Sequence, residues 1–156
     1  MSIFSATQED FSGGGKPLPP RSYKVMVLEA KVETTENGTR LTRMYGNIRT
    51  PEGAVEFENG DGTTYRIGNR KLFARSWIDH KNEQAQQIGQ REIKREAVSA
   101  GLMQKPAKGE TVELDYPSFE DYAQALIGRE VLVRTKIGKN NRDEEVAEIA
   151  TWLETA

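Results

Sequence analysis

Four side chains in the segment 71–77 combine two binding chemistries at a regular spacing. Cations alternate with aromatic rings at positions two apart: Lys71, Phe73, Arg75 and Trp77. Residues two apart on a β-strand share one face of the sheet, so an extended segment presents all four together. Cations bind phosphate oxygens, and bases stack on flat rings with about 1–3 kcal/mol per base. Such a row is typical of a surface that binds unpaired nucleic acid.

The segment 40–49 predicts a second row if it runs beside the first. Its small and apolar set suits an interior: Thr42, Met44, Gly46 and Ile48. The other set then faces outward: Arg43, Tyr45, Asn47 and Arg49. We therefore expect Arg43 and Tyr45 to share one face with the row in 71–77. The alternatives are the reverse parity, with Phe73 and Trp77 in the core, or a helix that covers them.

Basic and aromatic residues outside these two segments could extend the predicted binding face. Tyr65 and Arg66 lie in a Gly-rich hairpin that could clamp a bound strand, although a solvated loop is the plainer interpretation. Lys24, Arg134 and Lys139 could line the edges, although a cation without a partner is the commoner outcome. The predicted DNA-binding set is Arg43, Tyr45, Arg49, Tyr65, Arg66, Lys71, Phe73, Arg75, Trp77 and Lys136.

Catalytic chemistry has little support. His80 is the only histidine and there is no cysteine, so a histidine-pair or thiolate metal site is excluded and a triad has one candidate base. The run Gly13-Gly14-Gly15-Lys16 is not a phosphate-binding loop, because no strand precedes it and a proline follows the lysine. We expect no catalytic residue, no metal site and no cofactor.

Composition and charge frame the binding interpretation. The chain has 156 residues and a net charge of −2, and it has no cysteine with which to form a disulfide. Its charge is unevenly distributed along the chain. Residues 40–77 include seven basic and four acidic residues, a balance of +3, whereas residues 110–156 include five basic and eleven acidic residues, a balance of −6. Such an uneven charge distribution can indicate a basic face on an acidic protein. The alternative is that the charges are spread by chance over a solvated surface. No apolar run reaches the length of a membrane span and no signal peptide is evident, so we expect a cytoplasmic protein without membrane contact.

The chain length suggests one domain, with residues 1–22 as a flexible, Gly- and Pro-rich tail and 23–156 as the folded part. Segment 23–32 predicts a strand, and Glu36-Asn37-Gly38 predicts a tight hairpin to a strand over 40–49. A second, protruding hairpin is expected around Asn59-Gly60-Asp61-Gly62, followed by a third main strand at 70–78.

Two helices are predicted next, one capped by Asn82 and ending at Gly101, the other capped by Ser118 and ending at Gly128. A strand follows over 130–137. The last segment, 144–153, has apolar residues at helical spacing, which predicts a helix, whereas the short polar turn before it favours a hairpin strand.

Several stretches, taken in order, resemble a family of phage-encoded single-stranded-DNA-binding proteins. They are 18–25 (LPPRSYKV) leading to Asn37-Gly38-Thr39, 68–75 (GNRKLFAR), 82–89 (NEQAQQIG) running to Ala100-Gly101-Leu102, and 126–133 (LIGREVLV). The chain departs from the family in the inserted hairpin at 59–62 and in lacking an acidic, phenylalanine-tipped C-terminal tail.

The resemblance implies a mainly β fold with a helical insertion. This is the five-stranded OB-fold barrel, with a helix between strands three and four and here an extended hairpin between strands two and three. It favours a strand for 144–153. It also implies sequence-independent coating of single-stranded DNA in phage replication or recombination, with phage replication or recombination proteins as partners and the host cytoplasm as location. The sequence does not decide whether the protein forms a homodimer through an exposed strand edge. The rival interpretation is an OB-fold protein–protein interaction module that binds no DNA.

Overall fold

The computed structural model describes residues 17–154, which are mainly β with a helical insertion. The elements are β1 (Ser22–Thr35), β2 (Gly38–Arg49), β3 (Glu56–Glu58), β4 (Thr64–Arg66), β5 (Leu72–His80), α1 (Glu83–Ser99), α2 (Phe119–Leu126), β6 (Glu130–Lys139) and β7 (Glu145–Leu153). Both predicted helices and all predicted strands are confirmed. The first sixteen residues of the predicted tail lie outside the described residues. Leu18, inside that predicted tail, is only 2% exposed and belongs to the core.

Five of the strands form one antiparallel sheet in the order β5-β2-β1-β6-β7, and β3 pairs with β4 in a separate hairpin. The Asn37-Gly38 pair turns β1 into β2, with Thr35 opposite Gly38, as the sequence predicts. β7 is a strand rather than a helix because it pairs with β6 along its whole length, from Glu145 opposite Lys139 to Leu153 opposite Leu132. The continuous ladder outweighs the helical spacing of its apolar residues.

The sheet is not the closed barrel that the sequence predicts, because no hydrogen-bonded ladder joins its edge strands β5 and β7. Helix α1 packs along β5 instead. The Gln90 side-chain amide donates to the carbonyl of Ile78 at 2.8 Å, and the backbone N–H of His80 donates to the Gln86 side-chain oxygen at 3.2 Å. These glutamines pair backbone groups of β5 that a neighbouring strand would otherwise pair.

Gly89 allows α1 to come this close. A Cβ at Gly89 would lie 2.3 Å from the carbonyl oxygen and 2.4 Å from the nitrogen of Trp77, so only glycine fits against the β5 backbone. The buried face of α1 also carries Ile93, Glu96 and Ala97. Ile88, the neighbour of Gly89, is 50% exposed, because the buried stripe of α1 passes through Gly89.

The helix ends follow the sequence signals. The Asn82 side chain accepts a hydrogen bond from the Ala85 N–H at 3.0 Å, and the Ser118 hydroxyl accepts one from the Asp121 N–H at 3.2 Å. Gly101 has a φ of 77° and ends α1 in the left-handed conformation. Within residues 17–154, neither helix is long and apolar enough to cross a membrane.

Candidate functional site

The β5 row faces outward as predicted. Leu72, Ser76 and Ile78 are buried, whereas Lys71 and Arg75 are exposed. Phe73 is 65% exposed, an unusual value for a large apolar ring on a hydrogen-bonded strand. Trp77 is partly buried. The parity of β5 is therefore confirmed, and its most open ring is Phe73.

The predicted outward orientation of Arg43 and Tyr45 on β2 is wrong. Arg43 is 2% exposed and Tyr45 is fully buried, in the interior of the sheet beside Trp152 and under α1. Their outward neighbours are Thr42 and Met44, which are partly buried. Neither Arg43 nor Tyr45 can reach a ligand on the outer side of the sheet.

A buried polar cluster explains this reversal. The Arg43 Nε lies 3.0 Å and 3.2 Å from the two carboxylate oxygens of Glu96, whose side chain is also fully buried. Arg43 Nη1 donates to the Leu41 carbonyl at 2.9 Å and to the Ser76 hydroxyl at 3.0 Å. The Tyr45 hydroxyl donates to Glu96 and accepts from Trp152 Nε1 at 3.2 Å. Arg43 Nη2 is buried without a hydrogen-bond partner, and Glu96 Oε1 meets only the Arg43 guanidinium, so the surroundings satisfy the ion pair in part.

The cluster also shifts the protonation of its members. Burial alone would lower the pKa of the Arg43 guanidinium, but the adjacent Glu96 carboxylate raises that pKa above its usual value. Burial raises the pKa of the Tyr45 hydroxyl well above 10, so it remains a hydrogen-bond donor at neutral pH. Arg43 and Tyr45 therefore have a structural role in the core.

A β-bulge near the C-terminal end of β2 restores the predicted alternation there, with Ile48 facing inward and Arg49 facing outward. Between the pairs Lys24–Arg49 and Met26–Gly46, β2 has one more residue than β1. Asn47 in this bulge has a φ of 49° and is exposed, and Ile48 is buried. Arg49 consequently points away from the core, where it forms an ion pair with Glu130.

The residues opposite the β5 row define the rest of the site. Trp77 faces Arg40, Arg75 faces Thr42, and Phe73 faces Met44 across the ladder between β5 and β2. Directly opposite residues of antiparallel strands lie on the same side of the sheet. On β1 the corresponding partners are Glu33, Lys31 and Glu29. We call this surface the outer face; its residues are Lys71, Phe73, Arg75, Trp77, Arg40, Thr42, Met44, Glu29, Lys31 and Glu33.

Gly46 brings Lys71 onto the outer face. A Cβ at Gly46 would lie 2.4 Å from the Leu28 side chain and 3.1 Å from Lys71 Nζ. The missing side chain thus leaves room for the Lys71 ammonium to lie over β2. The outer face then carries four cations against two carboxylates, and one of the carboxylates is already paired.

That paired carboxylate belongs to Glu33, which accepts a hydrogen bond from Arg40 Nε at 3.0 Å. This hydrogen bond holds the pKa of Glu33 below its usual value. The Arg40 guanidinium lies 5.7 Å from the centroid of the Trp77 ring, and the His80 ring lies 4.4 Å from the same ring. The Trp77 ring therefore has His80 of its own strand on one side and Arg40 of β2 on the other. The Phe73 ring is the more accessible of the two.

Sequence reasoning missed Arg40 and Lys31 as members of this face. A usable signal was the Asn37-Gly38 turn, because it fixes the register in which Arg40 lies opposite Glu33, and Lys31 opposite Thr42. It also missed Glu96 as the partner of Arg43. The signal for Glu96 was its position on the apolar stripe of α1, between Ile93 and Ala97.

The other predicted site residues lie away from the outer face. Tyr65 is 7% exposed and stacks on Phe57 with ring centroids 5.7 Å apart, so it packs rather than clamps. Arg66 is exposed, with its Nε 3.7 Å from Glu56 Oε2. Lys136 is exposed on β6 opposite Glu148, and β1 separates β6 from β2 in the sheet. The outer face thus unites only Lys71, Phe73, Arg75 and Trp77 of the predicted set.

Among residues 17–154, no group of three or more carboxylate or histidine side chains is arranged to hold a metal ion. Comparison of the chain with models of known protein families and with curated protein sequences gives no match.

Proposed function

We propose that this protein binds single-stranded DNA on the outer face without sequence preference. The observation that carries the proposal is Phe73, a ring 65% exposed on a rigid strand, with the exposed cations Lys71 and Arg75 two residues to either side. A stacking ring between phosphate-binding cations is the minimal unit of sequence-independent single-strand binding. Every base has a flat face, so such a unit accepts all four.

The strand order supports an OB-fold assignment as part of the same proposal. The five long strands follow one another along the chain as β1, β2, β5, β6 and β7 and pair in the order β5-β2-β1-β6-β7, and both helices lie between β5 and β6. In OB-folds the second and third strands carry the oligonucleotide-binding surface. Here those strands are β2 and β5, which contribute most of the outer face.

Charge supports the same location. The protein has a net charge of −2, yet the outer face carries Lys31, Arg40, Lys71 and Arg75 against Glu29 and Glu33. The local excess of positive charge favours a phosphate backbone there. The resemblance to phage single-stranded-DNA-binding proteins extends the proposal to coating of DNA strands during phage replication or recombination in the host cytoplasm, together with proteins of those processes.

The experiment is a titration of labelled oligo(dT) by fluorescence anisotropy at low salt, repeated at rising salt. Phe73→Ala should weaken binding by about 1–3 kcal/mol, because it removes an exposed stacking platform. Val55→Ala is the matched control, since Val55 is also an exposed apolar residue, 55% accessible, but lies outside the outer face. Arg75→Ala should lower the slope of log affinity against log salt by about one unit. Arg66→Ala, at an exposed arginine on β4, should leave that slope unchanged.

Absence of oligo(dT) binding by the unaltered protein at low salt would overturn the proposal. It would favour the rival function, an interaction module that binds protein and no DNA. Equal losses in the Phe73 and Val55 variants would also contradict the assignment, because a generic loss of stability would then explain both.

A further inference from the structure

A concavity lies beside α1. It is a groove of about 860 Å³ bounded by α1, by the segment 103–114 and by the end of β7. Apolar side chains from all three walls line it, including Ile93, Met103, Leu114 and Leu153. The groove shares no residue with the outer face.

One wall of the groove is a free strand edge. β7 pairs with β6 on one side, and no described strand pairs with its other side. Trp152, Leu153 and Glu154 line the groove, whereas among the described residues none from β6 does. The groove therefore lies at the end of β7, whose second edge has no strand partner among the described residues.

The segment 111–115, which forms another wall, has a strand-like pattern of burial. In 111–115 the partly buried Val112 and Leu114 alternate with the exposed Thr111, Glu113 and Asp115, the pattern of a strand with one face against the protein. Within residues 17–154, this segment pairs with no strand of either sheet. A strand without a second partner and a segment of alternating burial thus line one apolar groove.

The α1 rim of the groove carries a cluster of cations. Arg91, Lys94 and Arg95 are exposed, line the groove, and lie three and four residues apart on the helix. Like charges at these spacings repel one another. Among residues 17–154, no carboxylate forms an ion pair with any of the three. Anionic side chains of a ligand would relieve this repulsion.

We propose that the groove binds an extended peptide segment of a partner protein as an added strand beside β7, with apolar residues at alternate positions and carboxylates between them. The apolar side chains pack on Ile93, Met103 and Leu114, and the carboxylates reach the cations of the α1 rim. Backbone pairing supplies affinity and the alternate pockets supply specificity, as in other cases of strand addition. A nucleic acid fits less well, because the walls offer no exposed ring for stacking.

The experiment uses the full chain and a labelled, blocked peptide with the sequence Glu-Val-Asp-Leu-Glu-Val-Asp, followed by anisotropy. We expect saturable binding that weakens as salt rises. The triple variant Arg91→Glu, Lys94→Glu, Arg95→Glu should weaken it at least about tenfold, since three attractions become repulsions. The matched control is Arg66→Glu, Lys139→Glu, Arg142→Glu, which changes the net charge equally at exposed sites outside the groove and should leave affinity unchanged.

A second experiment tests whether the peptide binds as an added strand. N-methylation of alternate peptide amides on one edge should abolish binding, whereas methylation on the other edge should be tolerated, because only one edge faces β7. No binding of the peptide, equal loss in both triple variants, or indifference to methylation on both edges would overturn the proposal. So would a groove triple variant that loses oligo(dT) and not the peptide, since its cations would then belong to a nucleic-acid surface. The proposal does not depend on DNA binding by the outer face.

Discussion

Phe73 and Trp77 lie four residues apart on one face of β5, yet their rings are open to a ligand to different degrees. Phe73 is 65% exposed, whereas Trp77 is partly buried between Arg40 and His80. A ring that packs on its neighbours contributes to folding as well as to binding. The two aromatic residues should therefore respond differently to truncation.

Trp77→Ala should lower both the melting temperature and the affinity for oligo(dT), with a smaller loss of affinity than Phe73→Ala causes. The packing against Arg40 and His80 is lost in the first variant, whereas the exposed Phe73 ring contributes mainly to stacking, about 1–3 kcal/mol per base. Thermal melting and anisotropy on the same preparations provide the test. An unchanged melting temperature with the larger loss of affinity would show that Trp77 is the principal platform.

The buried pair of Arg43 and Glu96 predicts a strong asymmetry between single and double substitution. Arg43→Ala should reduce the free energy of unfolding by about 3–5 kcal/mol, because it leaves the Glu96 carboxylate buried and without its cation. Arg43→Met combined with Glu96→Leu should recover most of that loss, since neither charge is then buried. Urea unfolding of the two variants measures this. If Arg43→Ala kept full stability and lost DNA affinity instead, Arg43 would belong to the binding surface after all.

Glu92 on α1 predicts a pH dependence. Burial raises the pKa of Glu92, which also accepts a hydrogen bond from Ser76 at 3.3 Å. A raised carboxyl pKa in the folded state means that the charged form costs stability at neutral pH, and that the cost disappears as pH falls towards the usual value of 4.5. Glu92→Gln should thus raise the melting temperature at neutral pH and not below pH 4.5.

The control for that measurement is Glu36→Gln, at an exposed position in the β1–β2 turn, which should show no such trend. A stabilisation by Glu92→Gln that grows as pH falls would have the opposite sign and would contradict the assignment.

These residues also show where sequence reasoning works and where it fails. In β5 small and apolar residues alternate with the row from Lys71 to Trp77, and the two cations of that row indicate which set faces outward. In β2 the same logic fails, because the cost of burying Arg43 is offset by Glu96, which lies 53 residues along the chain. Only the acidic residue on the apolar stripe of α1 indicates that a buried cation must exist.

At the scale of elements, α1 is a cover for the edge strand β5. Gln86 and Gln90 pair with backbone groups of His80 and Ile78, and Gly89 lets the helix backbone approach Trp77. The turn residues and caps that bound these elements are local, so the sequence predicts them well. The choice between closing a barrel and inserting a helix at the edge depends on long-range packing, which no local pattern specifies.

Gly89→Ala should destabilise the protein by about 1–3 kcal/mol, because the new methyl group would overlap the Trp77 backbone and force α1 away from β5. Gln87→Ala is the control, at an exposed position of the same helix. Alanine is the better helix former, so intrinsic propensity predicts the opposite sign for Gly89→Ala. A gain in stability from Gly89→Ala would show that α1 does not pack as closely on β5 as the geometry requires.

The secondary structure of the final strand, β7, also depends on long-range pairing. Val146, Ile149 and Leu153 recur at helical spacing, but a strand forms because β6 offers a complete partner across the short turn at 140–144. Pairing between elements decides secondary structure where the local pattern is compatible with two states.

At the scale of the whole molecule, charge is separated. The protein is acidic overall, but the outer face has a positive excess, and a second set of cations lines the rim of the groove beside α1. The two surfaces share no residue, so the two proposals are independent: a nucleic acid would bind one surface and a protein segment the other.

Photocrosslinking of oligo(dT) to the intact protein, followed by trypsin digestion and mass spectrometry, tests the central claim most directly. Cleavage after Lys71, Arg75 and Lys81 isolates Phe73 in the peptide 72–75 and Trp77 in the peptide 76–81. We expect nucleotide adducts on the peptide 72–75 first, with weaker labelling of 76–81, and none on 72–75 in Phe73→Ala. Adducts confined to peptides of α1, β6 or β7, with 72–75 unmodified in the unaltered protein, would contradict the assignment of the outer face as the DNA-binding surface.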